Sequence, residues 1–341
     1  MKILSTLLAA IALVSMAIPT HLYACCMVPL KYDVAISQKS QEAILFHDGD
    51  REELILKIHY QIEAKKKDAK MPGHFAWIIT VPNEPDNYEI ADADLFEEVY
   101  DWSRPLIKKP EPGGLRLLKS AVDSAQPTNS IELSELVEVG PYKIQPVRGV
   151  GPNALTGLND WLKENDFPTE DPAHMAYFVE NNFTFLAVKV LPAEGKAAVT
   201  DSAELPPIHL SFKSENPYYP LRFSSRQGVF NLNLTVFTRN KLNYRKSKTS
   251  LGKINFTRGK YKENVEVDSS KFPEHLTAAF KKSHFKDDEK KEWKLNVLRS
   301  RSVNHGNTIA QWKEDIFFST AKGFFGRQEI PEDEKTALAG L

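Results

Sequence analysis

Ser250 and Lys253 stand at the spacing of an S-x-x-K pair, in which a lysine takes the proton of a serine nucleophile. The pair lies in a basic, turn-like stretch rather than at a helix start, and a chance match to a short pattern explains it. Cys25 and Cys26 could supply a thiolate. A nucleophilic cysteine needs a histidine partner and an electropositive setting, and a chain end is a poor place for both. No G-x-S-x-G elbow occurs. The nine histidines are scattered, with no H-x-x-x-H or H-E-x-x-H spacing. His59 and His74 fall in or beside two expected strands that could be neighbours, and they read as ordinary strand histidines. Asp48-Gly49-Asp50 lacks the further ligands of a calcium loop. Gly149-Val150-Gly151 lacks the third glycine and the Lys-Ser/Thr of a phosphate loop. No metal site and no cofactor is expected from these residues.

Two charge runs remain. Glu84, Asp86, Glu89, Asp92, Asp94, Glu97, Glu98 and Asp101 form an acidic run with no base before Arg104. Carboxylate catalysis needs two such groups in different environments within one cleft, and a solvated helix face explains the run more simply. From Arg239 to Lys262 there are nine lysines and arginines and no acid, with Tyr244, Phe256 and Tyr261 interleaved. Arg239, Lys241, Arg245, Lys246, Lys248, Lys253, Arg258 and Lys260 are the candidate anion-binding face. Its alternative is a solvated loop that balances the acidic run.

The N-terminus decides which anion that face would meet. Lys2 precedes an uncharged stretch, 3–18, rich in Leu and Ile. Pro19 ends it and Ala24 offers a small residue before Cys25. This is the n-region, h-region and cleavage pattern of a signal peptide over residues 1–24. A cut after Ala17 is the second choice. The stretch is shorter than the ~20 apolar residues a spanning helix needs, and no later segment qualifies, so no transmembrane span is expected in the mature chain. A formal net charge of −1 speaks against general nucleic-acid binding. In an exported protein an anionic envelope polymer or lipid is the better partner for the basic segment. The two cysteines are neighbours with no third to pair with. Lipidation of Cys25 at a lipobox-like Leu22-Tyr23-Ala24-Cys25, a vicinal or interchain disulfide, and two free thiols all stay open.

The elements that must position any site read as α+β, with antiparallel β-meander and hairpin regions and a few packed helices. Asp48-Gly49 between two apolar runs predicts a hairpin. Residues 74–82 predict a strand, and 91–102 a helix that Arg104-Pro105 stops. Residues 131–139 and 142–147 predict strands, 154–165 and 172–181 helices, and 183–191 a strand. Residues 208–212, 219–223 and 229–238 predict further strands. The tail from Phe272 predicts short helical or strand pieces with no clear period, and the last dozen or so residues read as a mobile end. Phe75, Trp77, Tyr88, Trp102 and Trp161 have the spacing of core residues before that of a ligand groove. With 42% hydrophobic and 26% charged residues, the composition suits globular subdomains over 25–130 and 131–240, followed by a basic segment and C-terminal extension over 241–341.

Several of these stretches, in order, resemble a bacterial family known as domain of unknown function 2330. They are Cys25-Cys26-Met27-Val28-Pro29, Gln41-Glu42-Ala43-Ile44 with Asp48-Gly49, and Phe75-Ala76-Trp77-Ile78-Ile79-Thr80-Val81-Pro82. Val139-Gly140-Pro141-Tyr142, Asp160-Trp161-Leu162, and the segment from Leu205-Pro206-Pro207-Ile208 to Tyr219-Pro220-Leu221-Arg222 follow. The resemblance covers roughly residues 24–240 and implies an exported protein without an established activity, so it carries no catalytic positions. Some relatives look as if they end in a membrane anchor, whereas this chain ends in a polar tail. The expectation is an exported binding or assembly protein. The alternative is a hydrolase of envelope material, which would hold two carboxylates ~5–10 Å apart in a cleft.

Overall fold

The computed structural model describes residues 26–27, 33–108, 131–167, 169–226, 228–243, 254, 256, 261–305, 309, 312 and 315–320. The Asp-Gly hairpin is its longest local feature. β2 (Val34–His47) and β3 (Arg51–Ala64) pair antiparallel along nearly their whole length. Gly49 takes φ 120° in the turn, a conformation that costs a residue with a Cβ. Asp48 Oδ1 accepts from the amides of Asp50 and Arg51, each at 2.9 Å, which closes the loop with side-chain chemistry.

Around this hairpin an eight-stranded sheet forms. β5 (Asn87–Ile90) and β10 (Ser202–Glu204) join it on the β3 side, with β11 (Ile208–Lys213) between β3 and β5. β13 (Phe230–Thr238), β15 (Glu292–Val303) and β14 (Val265–Asp268) extend it on the β2 side. β13 runs parallel to β2; the other pairings in this sheet are antiparallel. The sheet thus draws strands from all three stretches delimited from the sequence.

A second sheet orders β1 (Cys26–Met27), β4 (Phe75–Val81), β9 (Thr184–Val190), β8 (Tyr142–Gly149) and β6 (Ile131–Leu133), with β7 (Val137–Val139) also on β8. Every residue of β4 is buried, as expected of a strand covered on both faces. One apolar core joins both sheets to the buried faces of α2 (Ala154–Glu164) and α3 (Pro172–Glu180). A second core lies on the outer face of the larger sheet, under α1 (Leu95–Ile107) and α4 (Glu274–Lys282). There Phe46 stacks on Phe237 at 4.5 Å and meets Trp293 edge-on at 5.5 Å.

The α+β expectation holds: the strands form open sheets and no closed barrel. Four local expectations do not. The strand expected over 131–139 breaks at 134–136 into β6 and β7, both paired with β8. Pro105 does not stop α1, which runs on to Ile107. A proline in the last turn forfeits one hydrogen bond, and fully buried Ile107 returns roughly 1.5–3 kcal/mol of apolar burial. The expected strand at 219–223 is cut to β12 (Tyr218–Tyr219), which pairs with β16 (Ile316–Phe317) and leads into a 3-10 turn, Arg222–Arg226. Asp315 Oδ1 accepts from the amides of Leu221 and Arg222 at 2.8 and 2.5 Å. This removes two backbone donors from any ladder. Last, the stretch after Phe272 holds α4 and the 12-residue β15.

Candidate functional site

The two helices cover only part of the larger sheet's outer face. Beyond them the strand register sets out polar rows. Lys57, Glu42, Asn233 and Arg299 are direct partners across β3, β2, β13 and β15. The next row begins His59, Ser40, Asn231, and Arg301 lies two residues beyond Arg299 on the same strand face. The rows form because outward residues of each strand recur with a period of two. The same strands send Leu232, Leu234 and Leu298 inward to the core.

Two contiguous depressions follow these rows, of about 420 and 220 Å³. Tyr100, Asn233 and Arg299 line both and mark their junction. The larger one is also lined by Asn231, Tyr261, Ser300 and Arg301, so its charged side chains are both arginines. The smaller one adds Glu42, Glu97, Glu204, Lys57 and Phe96, among others. The Arg299 guanidinium sits 4.1 Å from the Tyr100 ring centroid and 5.5 Å from that of Tyr261. This cation–π arrangement fixes a flexible side chain. Tyr100 nonetheless stays 45% exposed. Asn233 Nδ2 donates to Glu42 Oε1 at 3.0 Å. A carboxylate can only accept, so the Asn233 carbonyl oxygen is oriented away from that contact. Lys57 is ion-paired to Glu204 at 2.8 Å. Arg301 is exposed. The groove therefore offers aromatic surface, a fixed and an exposed guanidinium, and amide groups at one end, and carboxylates at the other.

Three buried carboxyls with shifted pKa values lie elsewhere. Glu53 is fully buried on the outer side of β3, below the turn that follows α4. His209 Nε2 donates to its Oε2 at 2.8 Å, and Ser211 Oγ also donates there. The amide and Nδ1 of His284 reach Oε1 at 2.8 and 3.1 Å. Burial pushes the Glu53 pKa up, but these bonds and the His209 charge outweigh it and leave it below the ordinary value. Its chain neighbour Glu52 faces the inner core. Burial raises its pKa well above the ordinary value, against one opposing bond from the Tyr218 amide at 2.6 Å. Glu52 Oε1 has no partner among the described residues. Asp315 is likewise buried and raised by desolvation, while Tyr218 and Thr80 hydroxyls and the two amides already named hold it. All three carboxyls are sealed from solvent and brace β3, β11, β12 and β16. None has the access that hydrolysis requires.

The residues singled out by sequence disperse. Arg239 is ion-paired to Asp288 at 2.6 Å, donates to the Glu292 carbonyl at 2.7 Å, and stacks over Trp293 at 3.7 Å. Lys241 is exposed. Arg245, Lys246, Lys248, Lys253, Arg258 and Lys260 lie outside the described residues, as do Ser250 and Cys25. Cys26 opens β1, whose backbone pairs with β4 at Trp77. Of the interleaved aromatics, Phe256 is buried in the main core and Tyr261 lines the groove, while Tyr244 lies outside the described residues. His59 lies in β3 of the larger sheet and His74 just before β4 of the other, and β3 and β4 do not pair; His59 instead lies 3.1 Å from Ser202 Oγ. The acidic run gives up Asp92 and Asp94, whose oxygens lie within 4.8 Å of each other and of a His275 nitrogen. The His275–Asp92 pair, at 3.3 Å, accounts for that approach. Sequence reasoning missed Arg299, Arg301, Asn231 and Asn233. The available signal was i, i+2 spacing of identical polar types, Asn-x-Asn and Arg-x-Arg, within strands.

Comparison with curated proteins finds no match. Among solved structures, the crystal structure of baculovirus P35 is 10% identical and covers 86% of this chain and 98% of its own, with a TM-score of 0.36. P35 in the caspase-8/P35 complex is 9% identical over 83% of this chain and 96% of its own, at 0.35. Likenesses this distant say nothing about the activity of this chain. A family model matches residues 19–285, well past the segment near residue 240 where the sequence resemblance fades. The chain belongs to that family, described as an uncharacterized protein conserved in bacteria, DUF2330.

Proposed function

We propose that this chain is an exported bacterial protein that binds an anionic polymer of the cell envelope in the groove around Arg299. Export is supported by the leader-like residues 1–24. Among the described residues no helix is long and apolar enough to cross a membrane. The observation that carries the binding reading is Arg299 stacked against Tyr100 and Tyr261 beside exposed Arg301, in a depression with no acidic lining among the described residues. Arg301, exposed beside that stacked cation, offers its N–H edge to a planar or tetrahedral anion.

The test is retention of the purified mature chain on immobilised hyaluronate, polygalacturonate and polyphosphate, with dextran as the neutral control. Retention on at least one anionic polymer is expected, weakening with salt. Arg301→Gln with Asn231→Ala should cut it about tenfold, the scale of one charge-assisted hydrogen bond. Equal retention on dextran, retention unchanged in the double variant, or binding to anionic lipid vesicles instead of polymer would overturn the reading.

A hydrolase reading draws on one observation, that Glu42 and Glu97 both line the smaller depression. Glu42 is engaged by Asn233, which favours binding over proton transfer. Release of reducing ends from polygalacturonate, lost in Glu97→Gln, would reverse that preference.

A further inference from the structure

The groove is electrically polar along its length, and this narrows its ligand. At one end the charged lining is Arg299 and Arg301. At the other, Glu204 is neutralised by Lys57, which leaves Glu42 and Glu97. A uniformly charged polyanion would be attracted at the first end and repelled at the second. A chain with one negative group followed by neutral, hydroxyl-rich units fits both. Carboxylates accept hydrogen bonds from hydroxyls, and the exposed Tyr100 ring at the junction offers a flat apolar surface to a sugar face.

Resting on the binding reading above, we infer that the groove is an ordered saccharide site: a carboxylate-bearing sugar seats against Arg301 and Asn231, and a neutral sugar lies past Tyr100 against Glu42 and Glu97. The Asn233–Glu42 bond leaves the Asn233 carbonyl as an acceptor for a hydroxyl at the junction. Nucleic acid and polyphosphate, with a charge on every unit, match the acidic half poorly.

Calorimetry on the intact mature chain tests this with four probes: a glucuronosyl-hexose disaccharide, its neutral hexosyl-hexose counterpart, single-stranded DNA and polyphosphate. The acidic disaccharide should bind about tenfold tighter than the neutral one, the ratio that one charge-assisted bond supplies. Arg301→Gln should erase that ratio, and Tyr100→Ala should weaken both sugars. Glu97→Gln, an exposed change, should raise affinity for polyphosphate and not for the acidic disaccharide. Equal binding of the two disaccharides, or an acid preference that survives Arg301→Gln, overturns the inference. If polyphosphate or DNA binds tighter than the disaccharide and needs Arg301, the anionic-polymer reading survives and the saccharide assignment falls. If no probe binds, both fall.

Discussion

Glu53→Ala should be among the costliest single substitutions in this protein. The carboxylate is fully buried and accepts from His209, Ser211 and the backbone and ring of His284. Alanine removes every acceptor at once. It leaves the Ser211 hydroxyl, the His284 amide and the His209 ring without their partner in the interior, where unpaired polar groups cost about 1–3 kcal/mol each. Breaking a buried charged cluster from one side costs about 3–5 kcal/mol, so we take ~4 kcal/mol. With an unfolding entropy of about 2.1 cal/mol/K per residue over the roughly 240 described residues, the slope is ~0.5 kcal/mol per degree and Tm should fall about 8 °C. The pH dependence carries a sign. Because the folded pKa of Glu53 is lowered, its ionic contribution is complete above the unfolded carboxylate value of ~4.3 and is lost as pH falls through the folded value. The deficit of Glu53→Ala relative to wild type should therefore be largest near pH 7 and shrink below pH ~4. Calorimetric or fluorescence melts of both proteins at several pH values measure it, with Ser211→Ala, which loses one donor, expected to cost about 1 kcal/mol. An unchanged Tm at pH 7, or a deficit that grows on acidification, would refute the reasoning.

The other buried carboxyls behave differently. Glu52 is held above its ordinary pKa chiefly by burial, so its favourable contribution is present below ~4.3 and is lost as pH rises through the folded value; Glu52→Gln mimics the neutral acid and should raise Tm at pH 7 without raising it at pH 4. Asp315→Ala should cost about 3 kcal/mol, whereas Asp315→Asn should cost much less in the same denaturation curves, because its carbonyl can keep the Leu221 and Arg222 amides and its NH2 can face the Tyr218 and Thr80 hydroxyls, which rotate to accept. Arg239→Ala should lower stability by about 1–2 kcal/mol and change the fluorescence of Trp293 beneath it, while polymer retention stays unchanged.

Local structure was legible wherever one strong signal ruled. The Asp-Gly hairpin and the apolar run of β4 depend on residues adjacent in sequence. β15 hid because Asn296 and Leu298 are buried along with Trp293, Leu295 and Val297, which erases the period-two pattern that marks a half-exposed strand. β12 ends sooner than its sequence predicts because Asp315, far along the chain, captures the amides of Leu221 and Arg222 just after it. The groove was illegible for a related reason. Its residues come from α1, β2, β3, β10, β13, β15 and Tyr261, and strand pairing alone sets Glu42 beside Asn233 and Arg299. Charge density instead drew the eye to Arg239, whose guanidinium is engaged by Asp288 and Trp293. Tyr261 belongs to both features: it is interleaved among the basic residues in sequence, and it packs against Arg299 in the fold.

Hydroxyl-radical footprinting with mass spectrometry, with and without hyaluronate, whose acidic and neutral sugars alternate, reads the groove itself. Tyr100 and Tyr261 flank Arg299 in the groove and are reactive aromatic reporters. The account predicts that polymer protects both tyrosines in the wild-type chain and leaves them unprotected in the Arg301→Gln, Asn231→Ala variant. Protection confined to other residues, or no protection at polymer concentrations that retain the protein, would contradict it.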